Sequence, residues 1–258
     1  MWDVSTYLGG LAALIVLVTI VWVVSLILRD ASIIDPFWSL LFLVAVVTYA
    51  LLSDAPGGGR RPLIVVLVAL WAIRLAGYLF WRAWGEEEDY RYQAMRRKAG
   101  ASFPVRSLFT VFWLQGVLAW IVSLPLLAAV DGSRPLGWLD WLGLAVFAVG
   151  WVFETGADWQ LARFKADPAN RGQVMDRGFW RYTRHPNYFG NFTMWWSFYL
   201  VAVSAGGWWS IIGPLVMSFL LLRVSGVAML EKTIGTRRPG YEEYVRRTNA
   251  FFPGPRRA

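Results

Sequence analysis

Between Asp158 and Asn191 the sequence gathers the residue types that hold a charged ligand. Arg163, Lys165, Arg171, Arg181 and Arg184 offer guanidinium forks and one ammonium, groups suited to phosphates. Asn187 adds an amide donor at a helix start, where free backbone N–H groups also favour anions. Tyr182, His185, Tyr188 and Asn191 fall in the same stretch. Just upstream, Glu154 and Asp158 are four residues apart, which puts both carboxylates on one helix face. They can accept from hydroxyls, face a cationic ring, or pair with Arg223 and Arg163. The same cations also have a simpler use, to fix topology and touch anionic lipid headgroups, and that reading is preferred for Arg177 and Arg181. His185, immediately before Pro186, is either part of the site or a cap and core hydrogen bonder.

Composition narrows what these groups can do. With no cysteine and one histidine, a thiolate nucleophile, a disulfide and a multi-histidine metal site are all excluded, so the reading contains no metal. A dinucleotide fingerprint after a strand, a Walker loop, a nucleophile elbow and a zinc-protease helix are also missing, and no strand alternation is evident. A ligand must therefore be held by helices and loops.

The elements that position the site are membrane helices. The 258 residues are 57% hydrophobic with mean hydropathy +0.45, more apolar surface than one soluble core can bury. Windows long enough for a bilayer core of about 30 Å lie at 7–28, 32–53, 62–81, 107–130, 136–157, 187–205 and 208–229. The expectation is an all-α, polytopic bundle of about seven transmembrane helices forming a single membrane domain over 1–258. Loops 82–106 and 158–186 and the tail 230–258 are then cytoplasmic. The first window has no basic leader and no cleavage site, so it reads as a retained helix.

The net charge of +8 would suggest nucleic acid in a soluble protein, but its distribution argues for topology instead. Twenty of the 25 Lys and Arg fall in alternate loops and the tail, against only Arg60, Arg61 and Arg134 in the others. The positive-inside rule thus places the N-terminus outside and the tail in the cytoplasm, with lipid and not nucleic acid as partner. Most tryptophans lie near window ends, as interfacial belts require, while Trp195 and Trp196 sit inside a window beside the polar motif, where pocket lining is an alternative. Ionisable groups at membrane depth are Asp35, Arg74, Glu154, Asp158 and Arg223, costly positions that mark function or mutual pairing. Asp35 is alternatively a first-turn charge favoured by the helix dipole.

Arg184-His-Pro-Asn-Tyr-Phe-Gly190, preceded by Gly178-Phe-Trp-Arg-Tyr182, resembles the signature shared by membrane steroid and sterol reductases and isoprenylcysteine carboxyl methyltransferases. Phe164-Lys-Ala-Asp-Pro-Ala-Asn-Arg-Gly172, Val224-Ser-Gly-Val227, Leu230-Glu-Lys232, Arg238 to Pro253 and Glu87-Glu-Asp-Tyr-Arg-Tyr92 extend the resemblance to one branch. That branch is a bacterial family of uncharacterised function grouped with the steroid 5-alpha-reductase C-terminal domain. The resemblance implies a multi-pass protein of the bacterial inner membrane. It also implies NADPH bound from the cytosolic side, and hydride transfer to a C=C bond conjugated to a ketone in a lipophilic substrate. By position, Glu154, Asp158, Lys165, Asn187 and Asn191 fall where relatives contact cofactor, and Arg223, Tyr241 and Tyr244 help close that pocket. Where many relatives carry glutamate this chain has Asn191, which keeps a polar contact and loses a charge. The relatives polarise the substrate carbonyl with a glutamate and a tyrosine from N-terminal helices, a role assigned here to Asp35 with Tyr78.

The leading expectation is thus an NADPH-dependent membrane reductase. An S-adenosylmethionine-dependent methyltransferase is the alternative, with Glu154 and Asp158 balancing the sulfonium charge. A transporter or lipid-binding scaffold is the non-enzymatic reading; no internal repeat is visible, although Pro125 and Pro214 offer helix kinks.

Overall fold

The structure, a computed structural model, describes residues 3–56, 58–224 and 240–257, and among them it is helical with no strand. Of the motifs above, Ser225-Gly-Val227, Leu230-Glu-Lys232 and Arg238-Pro239 lie outside the described residues. The chain divides into two compact units, residues 1–137 with 201–213, and residues 138–200 with 214–258.

The first unit is built on α1 (Val4–Leu28), α2 (Ile34–Leu52) and α3 (Arg60–Ala83), packed in sequence order. Asp3 starts α1 by accepting from the Ser5 N–H at 2.9 Å. The helix then runs apolar on every side for 25 residues, about 37 Å and longer than a bilayer core. Leu14, Val18, Val21 and Ser25 form its buried stripe, while Val16, Ile20 and Ile27 are exposed, an arrangement suited to lipid. Gly10 lets α1 approach α2, since a Cβ there would stand 2.2 Å from the Tyr49 ring.

The two arginines that open α3 are spent on backbone. Arg60 is fully buried and donates to Arg134 O at 2.9 Å, Pro135 O at 3.0 Å and Ser204 Oγ at 3.1 Å. Arg61 donates to Ala55 O at 2.7 Å and to Ser53 Oγ at 3.2 Å. Carbonyls left over at chain ends and turns are thereby satisfied without water.

The expected loop 82–106 is largely helical instead. Asp89 accepts from Arg91 N at 2.9 Å and so caps α4 (Tyr90–Ala99), whose Ala, Met, Lys and Arg content favours helix. Charge density had suggested a loop there, and the cap decides otherwise. At Gly100 (φ 56°, ψ −137°) the chain turns, then continues through α5 (Phe103–Ser107), a π-helical turn (Leu108–Trp113) and α6 (Leu114–Val122). The turn folds α4 back on this run: Tyr92 meets the Gln115 side chain, which a straight helix would hold about 35 Å away. The Arg96 guanidinium lies 4.4 Å over the Phe103 ring for the same reason. The window 107–130 is likewise interrupted, because α6 ends at Ser123 and α7 (Leu124–Val130) starts with Pro125 in its first turn, where no donor is needed.

In the second unit, α8 (Trp138–Ala166) runs past the expected end of its window, so Asp158, Arg163 and Lys165 stand on a helix rather than in a loop from 158. α9 (Pro186–Ser204), most of which belongs here, α10 (Ile212–Phe219), a π-turn (Leu220–Val224) and α11 (Tyr241–Arg247) complete the described helices. Trp195 is fully buried against Phe198, and Trp196 donates to Ser218 Oγ at 3.3 Å, which makes both part of the packing of this unit.

Among the described residues, five helical runs are long and apolar enough to cross a membrane: Val4–Leu28, Ala31–Leu52, Arg60–Ala83, Tyr90–Val122, whose apolar part follows the turn at Gly100, and Trp138–Ala166. The sixth expected window corresponds to α9, of 19 residues. The seventh corresponds to the shorter apolar helix Trp208–Val224, and its last positions fall outside the described residues.

Gly100 and Gly77 separate backbone from packing effects, because a Cβ at either would meet nothing within 4 Å. Gly100→Ala forces an L-residue into a glycine-only conformation and is expected to cost about 1–3 kcal/mol. Gly77→Ala, inside α3, should instead stabilise by about 0.5–1 kcal/mol. Melting temperatures in one detergent check the opposite signs. A second outcome concerns Glu88. Burial opposes its ionisation, but Arg96 at 2.7 and 3.1 Å and the Ala31 N–H at 2.8 Å outweigh this and hold the carboxyl below the usual carboxylate range. A depressed folded value means the stabilisation is complete above the unfolded pKa near 4.5 and is lost as pH falls through the folded one. Glu88→Gln should lower stability at neutral pH and flatten the acid limb of a stability–pH curve.

Candidate polar site

Two glycines set the site. On α8 and α9, Gly150 and Gly190 face each other so closely that a Cβ on Gly190 would lie 2.4 Å from Glu154 N and 2.5 Å from Gly150 O. Small residues at a helix crossing allow this backbone approach, the usual means of packing in a bilayer. The approach brings polar side chains of the two helices together. Asn191 Nδ2 donates to Glu154 Oε1 at 2.9 Å, and Asn187 Nδ2 donates to Asp158 Oδ1 at 3.1 Å. Both pairs share the i, i+4 spacing, so they form two rungs of one ladder. Glu154 and Asp158 are 3% and 5% exposed, so these carboxylates are held by protein rather than by solvent. The Asn191 Oδ1 acceptor is buried and has no donor among the described residues.

The Arg-His-Pro-Asn motif enters α9 from below this ladder. Pro186 is the first residue of α9, where its missing N–H costs nothing. His185 is 3% exposed, its N–H reaches Thr183 Oγ1 at 3.3 Å, and its ring lies 5.9 Å from that of Tyr188. The sequence suggested Arg184 as a ligand cation, and the structure shows what its guanidinium holds. Arg184 Nη1 donates to Thr248 O at 2.8 Å and Val245 O at 3.1 Å, and its backbone N–H donates to Asn249 O at 2.9 Å. The arginine therefore clasps the end of α11, where free carbonyls and the helix dipole favour a cation. Gly254 N–H to Tyr182 O at 3.1 Å and Thr183 Oγ1 to Phe251 O at 2.8 Å extend the clasp along the C-terminal segment. Tyr244 closes it by donating from Oη to Trp180 O at 2.6 Å. Burial pushes the Tyr244 hydroxyl above the ordinary tyrosine range, so it remains a donor.

The remaining positions divide in two. Arg163 lies 5.0 Å over the Trp159 ring, an interfacial pairing. Lys165, Arg171, Tyr182 and Arg223 are exposed, and Tyr241 is buried with its ring 5.9 Å from that of Tyr244.

Within the first unit, Asp35 has two partners that the sequence did not name. Tyr92 Oη donates to Asp35 Oδ1 at 2.6 Å, and the Arg91 guanidinium bonds Asp35 Oδ2. Asp35 thus carries the hydroxyl of Tyr92. Tyr78, the tyrosine suggested from sequence, has its ring 5.9 Å from that of Trp81, with the Arg82 guanidinium 5.8 Å over it. Tyr92 closes the Glu87–Tyr92 motif, so the signal was present, but only the packing of that motif against the start of α2, where Glu88 accepts from the Ala31 N–H at 2.8 Å, shows where it leads.

The family model described as "Protein of unknown function (DUF1295)" matches residues 21–248. "Uncharacterized protein C594.04c" of Schizosaccharomyces pombe is 26% identical over 283 residues, covering 98% of this chain and 81% of the relative. No solved structure matches.

Arg184→Gln tests the clasp. Loss of its bonds to two carbonyls should free the tail, so trypsin is expected to cut at Arg246 and Arg247 at least several times faster than in the wild type. Unchanged cleavage, read by mass spectrometry of the released C-terminal peptide, would refute a clasping role.

Proposed function

The chain belongs to the DUF1295 family, and we propose that it is a membrane-embedded, NADPH-dependent reductase of a lipophilic enone. The observation that carries this reading is the Asn191 side chain. Its Nδ2 is fixed by Glu154, which leaves a buried Oδ1 acceptor with no donor among the described residues. A primary carboxamide such as that of nicotinamide supplies the missing N–H, so the residues present fit the group. Asp158, one turn further on, is oriented by Asn187 and can accept from a ribose hydroxyl. Asn187 and Asn191 thus position, and Glu154 and Asp158 hold them in register.

When bound, NADPH supplies the hydride. The chain must supply a donor where negative charge develops on the enone oxygen. Exposed apolar helix faces give a lipid-soluble substrate a route through the bilayer. The basic loops and tail, on the cytoplasmic side of the inner membrane in this reading, meet the anionic cofactor there. The methyltransferase alternative is favoured by one observation, the two buried carboxylates Glu154 and Asp158, which suit a sulfonium as well as they suit amides and hydroxyls.

The test is to titrate NADPH and S-adenosylmethionine separately into detergent-purified protein. Melting temperature is followed together with energy transfer from tryptophan to dihydronicotinamide. NADPH should bind saturably and stabilise by about 2.7 kcal/mol at a hundredfold excess over Kd. Asn191→Leu, which removes the acceptor, should weaken it about tenfold or more. Stabilisation by S-adenosylmethionine alone would replace the reductase with the methyltransferase, and silence toward both would leave the non-enzymatic reading.

A further inference from the structure

We propose that the corner of the first unit where α4 turns into α5 is a binding site for an anionic phospholipid, with Arg29, Arg97, Lys98 and Arg106 receiving its headgroup. The level of this corner is set by α1. That helix is apolar up to Leu28 and closes on Arg29, so hydrocarbon-compatible side chains give way to charge there, as they do at a membrane boundary. α4 is tied down at the same level. Glu88, just before it, accepts from the Ala31 N–H at 2.8 Å, and Arg96, near its end, donates to Arg29 O at 3.2 Å. Trp22 Nε1 donates to Pro104 O at 3.0 Å, which lays α5 along the last turns of α1 and puts an indole where interfacial tryptophans belong. The corner therefore stands where the phosphates of a bilayer stand.

Its charges are sorted into those already used and those left over. Arg91 is bound to Asp35 and Asp89, and Arg96 to Glu88, so these two guanidinium groups are spent within the unit. The carboxylates are spent with them, and Asp30 is occupied by the Ser32 N–H at 2.7 Å. Arg29, Arg97, Lys98 and Arg106 are exposed, and none of the four makes an ion pair among the described residues. The chain has no Asp or Glu between Tyr90 and Val130 to answer them.

Arg96 gathers these cations into one place. Its guanidinium reaches Arg29 O and lies 4.4 Å over the Phe103 ring. Arg97 and Lys98 follow it in the chain, and Arg106 stands one turn beyond Phe103. Beside the cations, Val105 and Phe109 are exposed, as are Val23 and Ile27 on the last turns of α1. Cations at headgroup level next to bare apolar side chains fit a ligand with an anionic head and acyl chains, and the long basic side chains can lie on the apolar surface while their charges reach the phosphate. A free anion would use only half of this arrangement.

The experiment measures retention of phosphatidylglycerol and phosphatidylcholine by the full chain in detergent, by native mass spectrometry. The variants are Arg97→Gln with Lys98→Gln, Arg106→Gln alone, and Arg171→Gln with Arg181→Gln, a pair that removes equal charge from exposed positions of the second unit. Phosphatidylglycerol should bind more tightly than phosphatidylcholine. It should weaken about tenfold or more in the α4 pair and about fivefold in Arg106→Gln, as expected for cations facing an anionic headgroup, and stay unchanged in the second-unit pair. The α4 pair leaves Arg91, Arg96 and their carboxylates in place, and if it nevertheless melts early in lipid-free detergent, Arg106→Gln on α5 carries the test by itself. Equal losses from the two units would overturn the site in favour of a general surface potential, and so would equal retention of the two lipids by the wild type. Displacement of phosphatidylglycerol by millimolar inorganic phosphate would overturn the lipid in favour of a free anion.

Discussion

Hydrocarbon offers no hydrogen bonds, so each polar group in a chain this apolar must find its partner within the chain. That single constraint accounts for much of what the structure does with its charged residues. Arg60 is fully buried and surrounded by carbonyl and hydroxyl acceptors, and the carboxylates of Glu154 and Asp158 are held by two asparagine amides. An arginine with five donors is well suited to gathering several loose carbonyls at once, which explains why the buried cations bind backbone. Where such an atom has no partner among the described residues, as at Asn191 Oδ1, the same constraint makes it informative about a ligand.

Close helix packing is the second half of the same logic. Without a hydrophobic drive between helices in lipid, the α8–α9 crossing depends on van der Waals contact and on the bonds the contact permits. Gly150 and Gly190 remove the side chains that would hold the backbones apart, and only then do the two asparagines reach the two carboxylates. The glycines and the polar ladder are therefore one device, and neither half has a purpose without the other.

Much of this was legible in the sequence. Apolar runs identify the helices because a bilayer demands length and composition alone, and the i, i+4 spacing of Glu154 with Asp158 already placed them on one face. Asn187 and Asn191 show the same spacing, but which amide meets which carboxylate depends on the helix crossing, and a spacing rule contains no crossing. Three things were hidden for definite reasons. The helix at Tyr90–Ala99 is marked by one cap, Asp89, which a count of charges overlooks. The meeting of Tyr92 with Asp35 depends on the connection that lays α4 beside the start of α2, tied there by Glu88 to the Ala31 N–H, a tertiary contact that no local spacing announces. The role of Arg184 was masked by its chemistry, since a guanidinium suited to phosphate is equally suited to peptide carbonyls.

The burial of Arg60 also bears on how the first unit is made. The chain is synthesised in order, yet the acceptors of this guanidinium lie 74, 75 and 144 residues later, at Arg134, Pro135 and Ser204. A newly inserted α3 therefore carries a charge for which these three acceptors do not yet exist. The last of them is made only after most of the second unit has been synthesised. Completion of the first unit is thus a late event in biogenesis, tied to a serine near the other end of the polypeptide.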